Sequence, residues 1–308
     1  MSKDITGKRL EEYNDVFVDI FNNLLFGGEE ILKQEDLVAL PTQSYVKGMD
    51  GKVHENNRDV RKADKDQNVY RLICGIENQS DVDNTMPERV MGYDYAAYEM
   101  QIKELEEENR KCDRPAYAKR IHDDQKLAPV ITGVLHWGNE EWQGPRKLHD
   151  MIRFPKESEA IIKPLVPDYP MNLIEVTKLP KEVRERLTSD FRLIVEYFEH
   201  KKDMRALKEI FRERRDKIKH PDEFLDALSE VSSDKKYKEM KNTLTKEEKE
   251  ELTMWSIADE FIREGEEKGR LEAVVSLVKG GLLKLEEAAS FLNITIEDMR
   301  QECLVEKK

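Results

Sequence analysis

The clearest strand in this chain is predicted for Val69-Tyr-Arg-Leu-Ile-Cys-Gly-Ile-Glu-Asn-Gln79. Its apolar run, from Leu72 to Ile76, is typical of a strand that is buried on both faces of a sheet. The strand ends in Glu77 and Gln79, which are two residues apart. Because successive side chains of a strand point to opposite faces, these two side chains lie on the same face. A carboxylate and an amide at the end of an apolar strand are therefore the first sign of a polar site.

Shorter patterns of helix and strand surround this segment. Apolar residues at helical spacing predict a helix over residues 10–26, which Gly27-Gly28 ends. Pro87 suits the first turn of a second helix, predicted from Met86 to Lys111. The other predicted elements are strands at Leu37–Leu40, Arg58–Val60, Pro129–Trp137 and Leu173–Val176, a turn-rich loop or hairpin tip at Gly48–Asn57, and a polar turn at Lys62–Asn68. Together these elements predict an α/β core followed by a helical C-terminal half.

The helical part beyond Pro180 is predicted to divide further. We expect an α/β domain at residues 1–180, a helical extension at 181–245, and a tail at 246–308 made of a charged helix and a small helix-turn-helix-like unit. The last predicted helix carries Arg300 as its single base among acidic residues, which makes it a poor reader of a DNA groove. We interpret the tail as an interaction surface through which the chain could form a homo-oligomer.

Composition limits the classes of function. The net charge is −13, from 52 Lys and Arg against 65 Asp and Glu, which argues against a general electrostatic grip on DNA or an anionic membrane. This net charge remains compatible with a local basic patch of the protein that faces the DNA backbone. The three cysteines are far apart and form no zinc motif. The polar N-terminal segment and the short apolar runs predict a cytoplasmic protein with no membrane partner.

Three polar residues form the predicted site. If the strand that carries Asp59 pairs antiparallel with the strand that carries Glu77 and Gln79, the two carboxylates and the amide oxygen converge. Such hard oxygen donors suit Mg²⁺ or Mn²⁺. The alternative is that these residues make ordinary hydrogen bonds at strand ends. An unpaired carboxylate directly after an apolar run would be costly, which favours a site.

The order of these motifs resembles the recombination-promoting nuclease/putative transposase family, within the PD-(D/E)XK nuclease superfamily. The resemblance rests on Asp15-Val-Phe-Val-Asp-Ile-Phe-Asn22, Arg58-Asp-Val60, Gly75-Ile-Glu-Asn-Gln-Ser80, Met86-Pro87 with Arg89, and Pro129-Val-Ile-Thr132 running to Trp137-Gly138. It covers roughly half of the chain. It implies a restriction-endonuclease-like mixed sheet flanked by helices and metal-dependent DNA cleavage, with Asp59 and Glu77 as metal ligands and Gln79 as the third catalytic residue.

Two positions of this resemblance leave alternatives open. The superfamily pattern has a lysine where this chain has Gln79, and a neutral amide can hydrogen-bond but carries no charge. Gln79 is, however, similar to what this particular family carries. A further acid from the first helix often completes such sites, and Asp19 is the choice here, with Asp15 as the alternative and Asn22 as a hydrogen-bonding neighbour. Asp15 and Asp19 are also four residues apart, as on a solvated helix face.

The function predicted from the sequence is a cytoplasmic, Mg²⁺-dependent DNA endonuclease. The first alternative is a catalytically weak or inactive member of the same family that binds DNA or protein. A further alternative is a helical adaptor in which the acidic residues have no chemical role.

Overall fold

The computed structural model of the chain describes residues 10–47, 53–57, 59–66, 69–112, 120–200, 203, 205, 209, 217–232 and 234–304. These residues form two compact units. The first comprises Met1–Glu199 and Lys219–Lys249, and the second comprises His200–Ile218 and Glu250–Lys308. The domain limits predicted near residues 180 and 245 remain a prediction.

A mixed five-stranded sheet forms the centre of the first unit. The strands are β1 (Leu37–Ala39), β2 (Gln43–Lys47), β3 (Val53–Asn57), β4 (Val60–Asp66), β5 (Val69–Gln79), β6 (Val130–His136) and β7 (Asn172–Glu175). The central sheet has the order β1-β4-β5-β6-β7, and β2 and β3 form a separate hairpin. Strands β1, β4 and β5 pair antiparallel, whereas β5, β6 and β7 run parallel. The predicted α/β fold with a mixed sheet is thus confirmed.

Helices flank the sheet and make up the C-terminal half. They are α1 (Asn14–Ile20), continued by a π-helical turn at Phe21–Leu25, α2 (Met86–Lys111), α3 (Glu159–Ile162), α4 (Lys181–Arg186), α5 (Asp190–His200), α6 (Pro221–Ser232), α7 (Lys236–Thr243), α8 (Lys246–Glu250), α9 (Met254–Lys279), α10 (Leu285–Leu292) and α11 (Ile296–Leu304). Short 3-10 helices occupy Gln34–Asp36, Leu148–Met151, Lys163–Leu165 and Val176–Lys178. Within the described residues, no helix is long and apolar enough to cross a membrane.

Two helical segments of the first unit cover opposite faces of the sheet. On one face, Leu25 of the π-helical turn lies against Gly133 of β6, where an added Cβ would meet it at 3.2 Å. On the other face, Ala97 of α2 packs on Ala63 and Ile73. Because both faces are covered, β5 is apolar along most of its length and shows no simple alternation.

The polar turn predicted over Lys62–Asn68 was wrong for its first five residues, because Lys62–Asp66 belong to strand β4. The charges of this buried strand have partners that lie elsewhere in the chain. Lys62 Nζ donates to Asn14 Oδ1 at 2.5 Å, and Asp64 pairs with Arg71 at 2.6 Å. A buried charge is tolerated when it is paired, so a strand can be rich in Lys and Asp. The remainder of the predicted turn, residues 67–68, lies outside the described residues.

Most other predicted elements are confirmed with shifted ends. The first helix begins at Asn14. The strand predicted at Arg58–Val60 overlaps β4 at Val60, Asp59 lies in a bend just before it, and Arg58 lies outside the described residues. The turn-rich loop or hairpin tip predicted at Gly48–Asn57 was wrong for residues 53–57, which form strand β3 and pair with β2, and residues 48–52 lie outside the described residues.

The second unit contains the predicted helix-turn-helix-like tail. Helices α9, α10 and α11 share a small core of buried residues: Val274, Ala288, Ala289, Leu292 and Met299. The turn between α10 and α11 contains Asn293 in the left-handed region, with φ of 56°. Asparagine tolerates this conformation better than most residues, which explains why the helix ends there.

Candidate functional site

Asn78, next to the last residue of β5, ties two distant carboxylates to the end of that strand. Its backbone N–H donates to Asp59 Oδ2 at 2.8 Å, and its side-chain Nδ2 donates to Glu11 Oε2 at 2.7 Å. The side-chain oxygen of Asn78 accepts from Trp137 Nε1 at 2.7 Å, which fixes the orientation of the amide. A buried residue whose backbone N–H, amide nitrogen and amide oxygen are all hydrogen-bonded is a rigid support for Asp59 and Glu11.

Glu77 lies on the opposite face of β5, under the first turns of α2. Its Oε1 accepts from Arg89 Nη2 at 2.5 Å, from Gln79 Nε2 at 3.1 Å and from Tyr93 OH at 3.4 Å. The residue is only 3% exposed. Gln79 thus contacts Glu77, and Asp59 reaches the same strand end through the backbone N–H of Asn78. The convergence of the three residues on one ion and their roles in catalysis stay predictions.

Glu11 is the third carboxylate at this place and was not predicted from the sequence. It is buried, and burial raises the pKa of its carboxyl to about 8, against a lowering effect of the Asn78 hydrogen bond. The negative charges of Asp59 and Glu77 raise the pKa of Glu11 further. We call Glu11, Asp59 and Glu77 the acidic cluster.

Lys62 holds the segment that carries Glu11. Its ammonium group donates to the Glu12 carbonyl and to Asn14 Oδ1, and it lies 5.3 Å from the centre of the Phe17 ring. Burial lowers the pKa of Lys62 to about 8, against the raising effect of nearby acids. The sequence signal that could have indicated Glu11 is weak: it is an acid placed just before the first helix, and its site partner Asn78 is 67 residues away.

Asp19 does not join the acidic cluster through any of its hydrogen bonds. Its carboxylate accepts from the backbone N–H groups of Thr188 and Ser189, at 2.9 and 2.8 Å, and from the Ser189 hydroxyl at 2.7 Å. These bonds tie α1 to the segment just before α5, which favours a structural role over the predicted metal ligation.

The two alternatives to Asp19 also have other partners. Asp15 Oδ1 lies 3.0 Å from His220 Nε2, and Asn22 Oδ1 accepts from the backbone N–H groups of Ile31 and Leu32. Both residues therefore fasten neighbouring segments to the first helix.

Asp19→Asn tests the two readings of this residue. We expect it to lower the free energy of unfolding by roughly 1–3 kcal/mol, because an amide nitrogen replaces an oxygen that accepts buried N–H donors. Urea unfolding measures this change, and Mn²⁺ titration of the same variant should give the wild-type dissociation constant. Unchanged stability together with lost Mn²⁺ binding would instead establish Asp19 as a metal ligand.

Within the described ranges, no group of three or more His, Cys, Asp or Glu side chains is arranged to hold a metal ion. The carboxylates of the acidic cluster accept hydrogen bonds from Asn78 and Arg89 instead. Their donor chemistry nevertheless fits a hard divalent cation. Moreover, Glu11 Oε1 is buried and has no hydrogen-bond partner among the residues that the structure describes. Such an oxygen is expected to have an ion, a proton or a water as its partner.

The fold and the acidic cluster define an α/β protein with a polar site at one end of its central strands. A family model described as "Putative transposase, YhgA-like" matches residues 58–236, more than half of the 308 residues. The chain belongs to this family. No curated protein matches the chain, and no solved structure matches it. The match includes Asp59, Glu77 and Gln79, whereas Glu11 lies before it.

Proposed function

We propose that this protein is a metal-dependent DNA endonuclease of the PD-(D/E)XK type, with its active site at the acidic cluster. The observation that carries the proposal is the contact of Asn78 with both Glu11 and Asp59, directly beside Glu77. Three carboxylates gathered at one strand end are costly unless a cation or protons compensate them. The family description, which names a transposase, supports DNA as the substrate.

Mg²⁺ or Mn²⁺ is the cofactor that these donors fit. Glu11, Asp59 and Glu77 would hold it, since each offers a carboxylate oxygen. When bound, such an ion lowers the pKa of an attacking water and neutralises charge that develops on the phosphate. Asp19 remains a weaker candidate ligand, because Thr188 and Ser189 already donate to both of its oxygens.

The surrounding side chains would hold and orient the reacting groups. Gln79 steadies Glu77 through its amide nitrogen and can hydrogen-bond a water, but it adds no positive charge. Burial raises the pKa of Tyr93 to about 12, with a further rise from the charge of Glu77. The Tyr93 hydroxyl therefore keeps its proton at neutral pH and remains a donor to Glu77. A site with an amide in place of the superfamily lysine should cut slowly.

Supercoiled plasmid is the substrate for the first test. We expect purified protein to nick it with Mg²⁺ or Mn²⁺ and not with EDTA. Asp59→Asn should abolish nicking, because it removes a charged ligand while it keeps an oxygen that can accept from Asn78 N–H. Absence of nicking by folded wild-type protein with either metal would favour the alternative, a DNA- or protein-binding member of the family that does not cut.

The proposal extends to the setting of the protein. We place it in the cytoplasm and infer self-association through α9, α10 and α11. Apolar side chains exposed on this tail support the second point, namely Leu282, Phe291 and Ile296. A native mass equal to the chain mass of 36.2 kDa would contradict self-association.

A further inference from the structure

Arg89 lies between a buried carboxylate and an exposed one. Its Nη2 donates to Glu77 Oε1 at 2.5 Å, and its Nη1 donates to Asp83 Oδ2 at 2.8 Å. The Glu77 side chain is 4% exposed, whereas that of Asp83 is 28% exposed. One guanidinium group thus bridges Glu77 of the acidic cluster and the partly exposed Asp83, which lies just before α2.

The outer partner of this bridge is firmly held. Asp83 Oδ1 accepts from the backbone N–H of Thr85 at 2.8 Å and from its hydroxyl at 2.7 Å. Burial acts to raise the pKa of Asp83, but the hydrogen bonds from Thr85 and Arg89 outweigh it and lower the pKa. Asp83 is therefore charged at neutral pH and can keep the guanidinium group nearby when the inner contact is lost.

The inner partner of the bridge is the residue that the proposed function makes a metal ligand. A carboxylate as deeply buried as Glu77 requires nearby positive charge, and Arg89 supplies it at hydrogen-bond distance. A divalent cation on Glu77 would supply the same compensation and would place a second positive group beside the guanidinium group. Two cations that need the same oxygen exclude or weaken each other.

We propose that Arg89 is a built-in counter-ion that competes with the divalent metal for Glu77 and rests on Asp83 when the metal is bound. This inference depends on the proposed function, since it takes Glu77 as a metal ligand. Arg89 is then a positioning residue. It holds the Glu77 carboxylate in place before the metal arrives, and it sets how tightly the metal binds.

Mn²⁺ titration, followed by calorimetry or by the paramagnetic signal of the free ion, tests this competition on the full chain. Arg89→Gln removes the competing charge and should tighten Mn²⁺ binding by on the order of tenfold. Arg89→Lys keeps a charge near Glu77 and should bind Mn²⁺ about as weakly as the wild type. Arg146→Gln, which changes an exposed arginine paired with Glu175 at 3.4 Å, is the matched control and should leave the dissociation constant unchanged.

A second variant, Asp83→Asn, keeps the competition testable if Arg89→Gln does not fold. Asp83→Asn alters a partly exposed position and leaves both Arg89 and Glu77 in place. It removes the resting partner of the guanidinium group, so Mn²⁺ binding should weaken by roughly two- to fivefold. If Arg89 has only a structural role, the wild type and Asp83→Asn should bind Mn²⁺ with equal dissociation constants.

The outcomes separate this inference from the proposed function. Saturable Mn²⁺ binding that is unchanged or weaker in Arg89→Gln overturns the competition and leaves the nuclease proposal standing. Absence of saturable Mn²⁺ binding in the wild type and in every variant overturns both, because Glu77 is then no metal ligand.

Discussion

Glu77→Gln should reduce the rate of plasmid nicking by about a thousandfold or more. The substitution keeps the size of the side chain and an oxygen that can accept from Arg89, but it removes the negative charge of Glu77 from the acidic cluster. A metal ion at such a site supplies several kcal/mol of stabilisation to the transition state, and about 4 kcal/mol corresponds to a thousandfold in rate. Initial rates of nicking with Mg²⁺ measure the effect.

Asp94→Asn is the matched control for this experiment. Asp94 is also a buried carboxylate of the first unit, and it accepts from the Thr132 hydroxyl at 2.5 Å and from Tyr169 OH at 2.6 Å. Its loss should destabilise the fold without reaching the acidic cluster, so nicking should fall by less than about tenfold. A similar loss in the two variants would mean that the charge of Glu77 has no special part in the reaction.

The regular elements of the core could be predicted because their signals are local. The apolar run of β5 and the Pro in the first turn of α2 are visible within a few residues. Residues 61–66 of strand β4 could not be found in the same way, since they are mostly charged. They form a strand because Lys62 meets Asn14 and Asp64 meets Arg71 in the folded chain, and neither partner is visible in the strand's own sequence.

The same reasoning explains which parts of the candidate site were predicted. Glu77 and Gln79 lie on β5, and Asp59 directly precedes β4, which pairs with β5, so strand pairing brings these residues to the same end of the sheet. The contribution of Glu11 depends on one amide, Asn78, that lies 67 residues further on. The first helix was expected to provide an acid, but the backbone N–H groups that engage Asp19 belong to Thr188 and Ser189, about 170 residues away. Helical spacing of acidic residues does not show which of several acids lies at the end of the sheet.

Glu11→Gln should make the protein more stable at alkaline pH. In the folded chain the Glu11 carboxyl keeps its proton up to about pH 8, whereas its ordinary pKa is 4.5. Between these two pH values the folded state binds one more proton than the unfolded state, so the free energy of unfolding falls by about 1.4 kcal/mol per pH unit from this group. The stability that the protonated Glu11 carboxyl contributes is complete below pH 4.5 and is lost as the pH rises through about 8. Glutamine cannot ionise, so the Glu11→Gln variant does not lose this stability as the pH rises. Near pH 8 its free energy of unfolding should exceed that of the wild type by roughly 3–5 kcal/mol.

Urea unfolding between pH 5 and 8 measures this difference, and Glu12→Gln is its matched control. Glu12 is the exposed neighbour of Glu11, and its substitution should keep the pH slope of the wild type. A Glu11→Gln protein with that same slope would show that the Glu11 carboxyl is already ionised at neutral pH.

Saturating Mn²⁺ adds a decisive comparison, because a metal ligand must be deprotonated. If Glu11 binds the ion, Mn²⁺ should flatten the pH slope of the wild type and leave that of Glu11→Gln unchanged, which a carboxyl buried for structural reasons alone would not do.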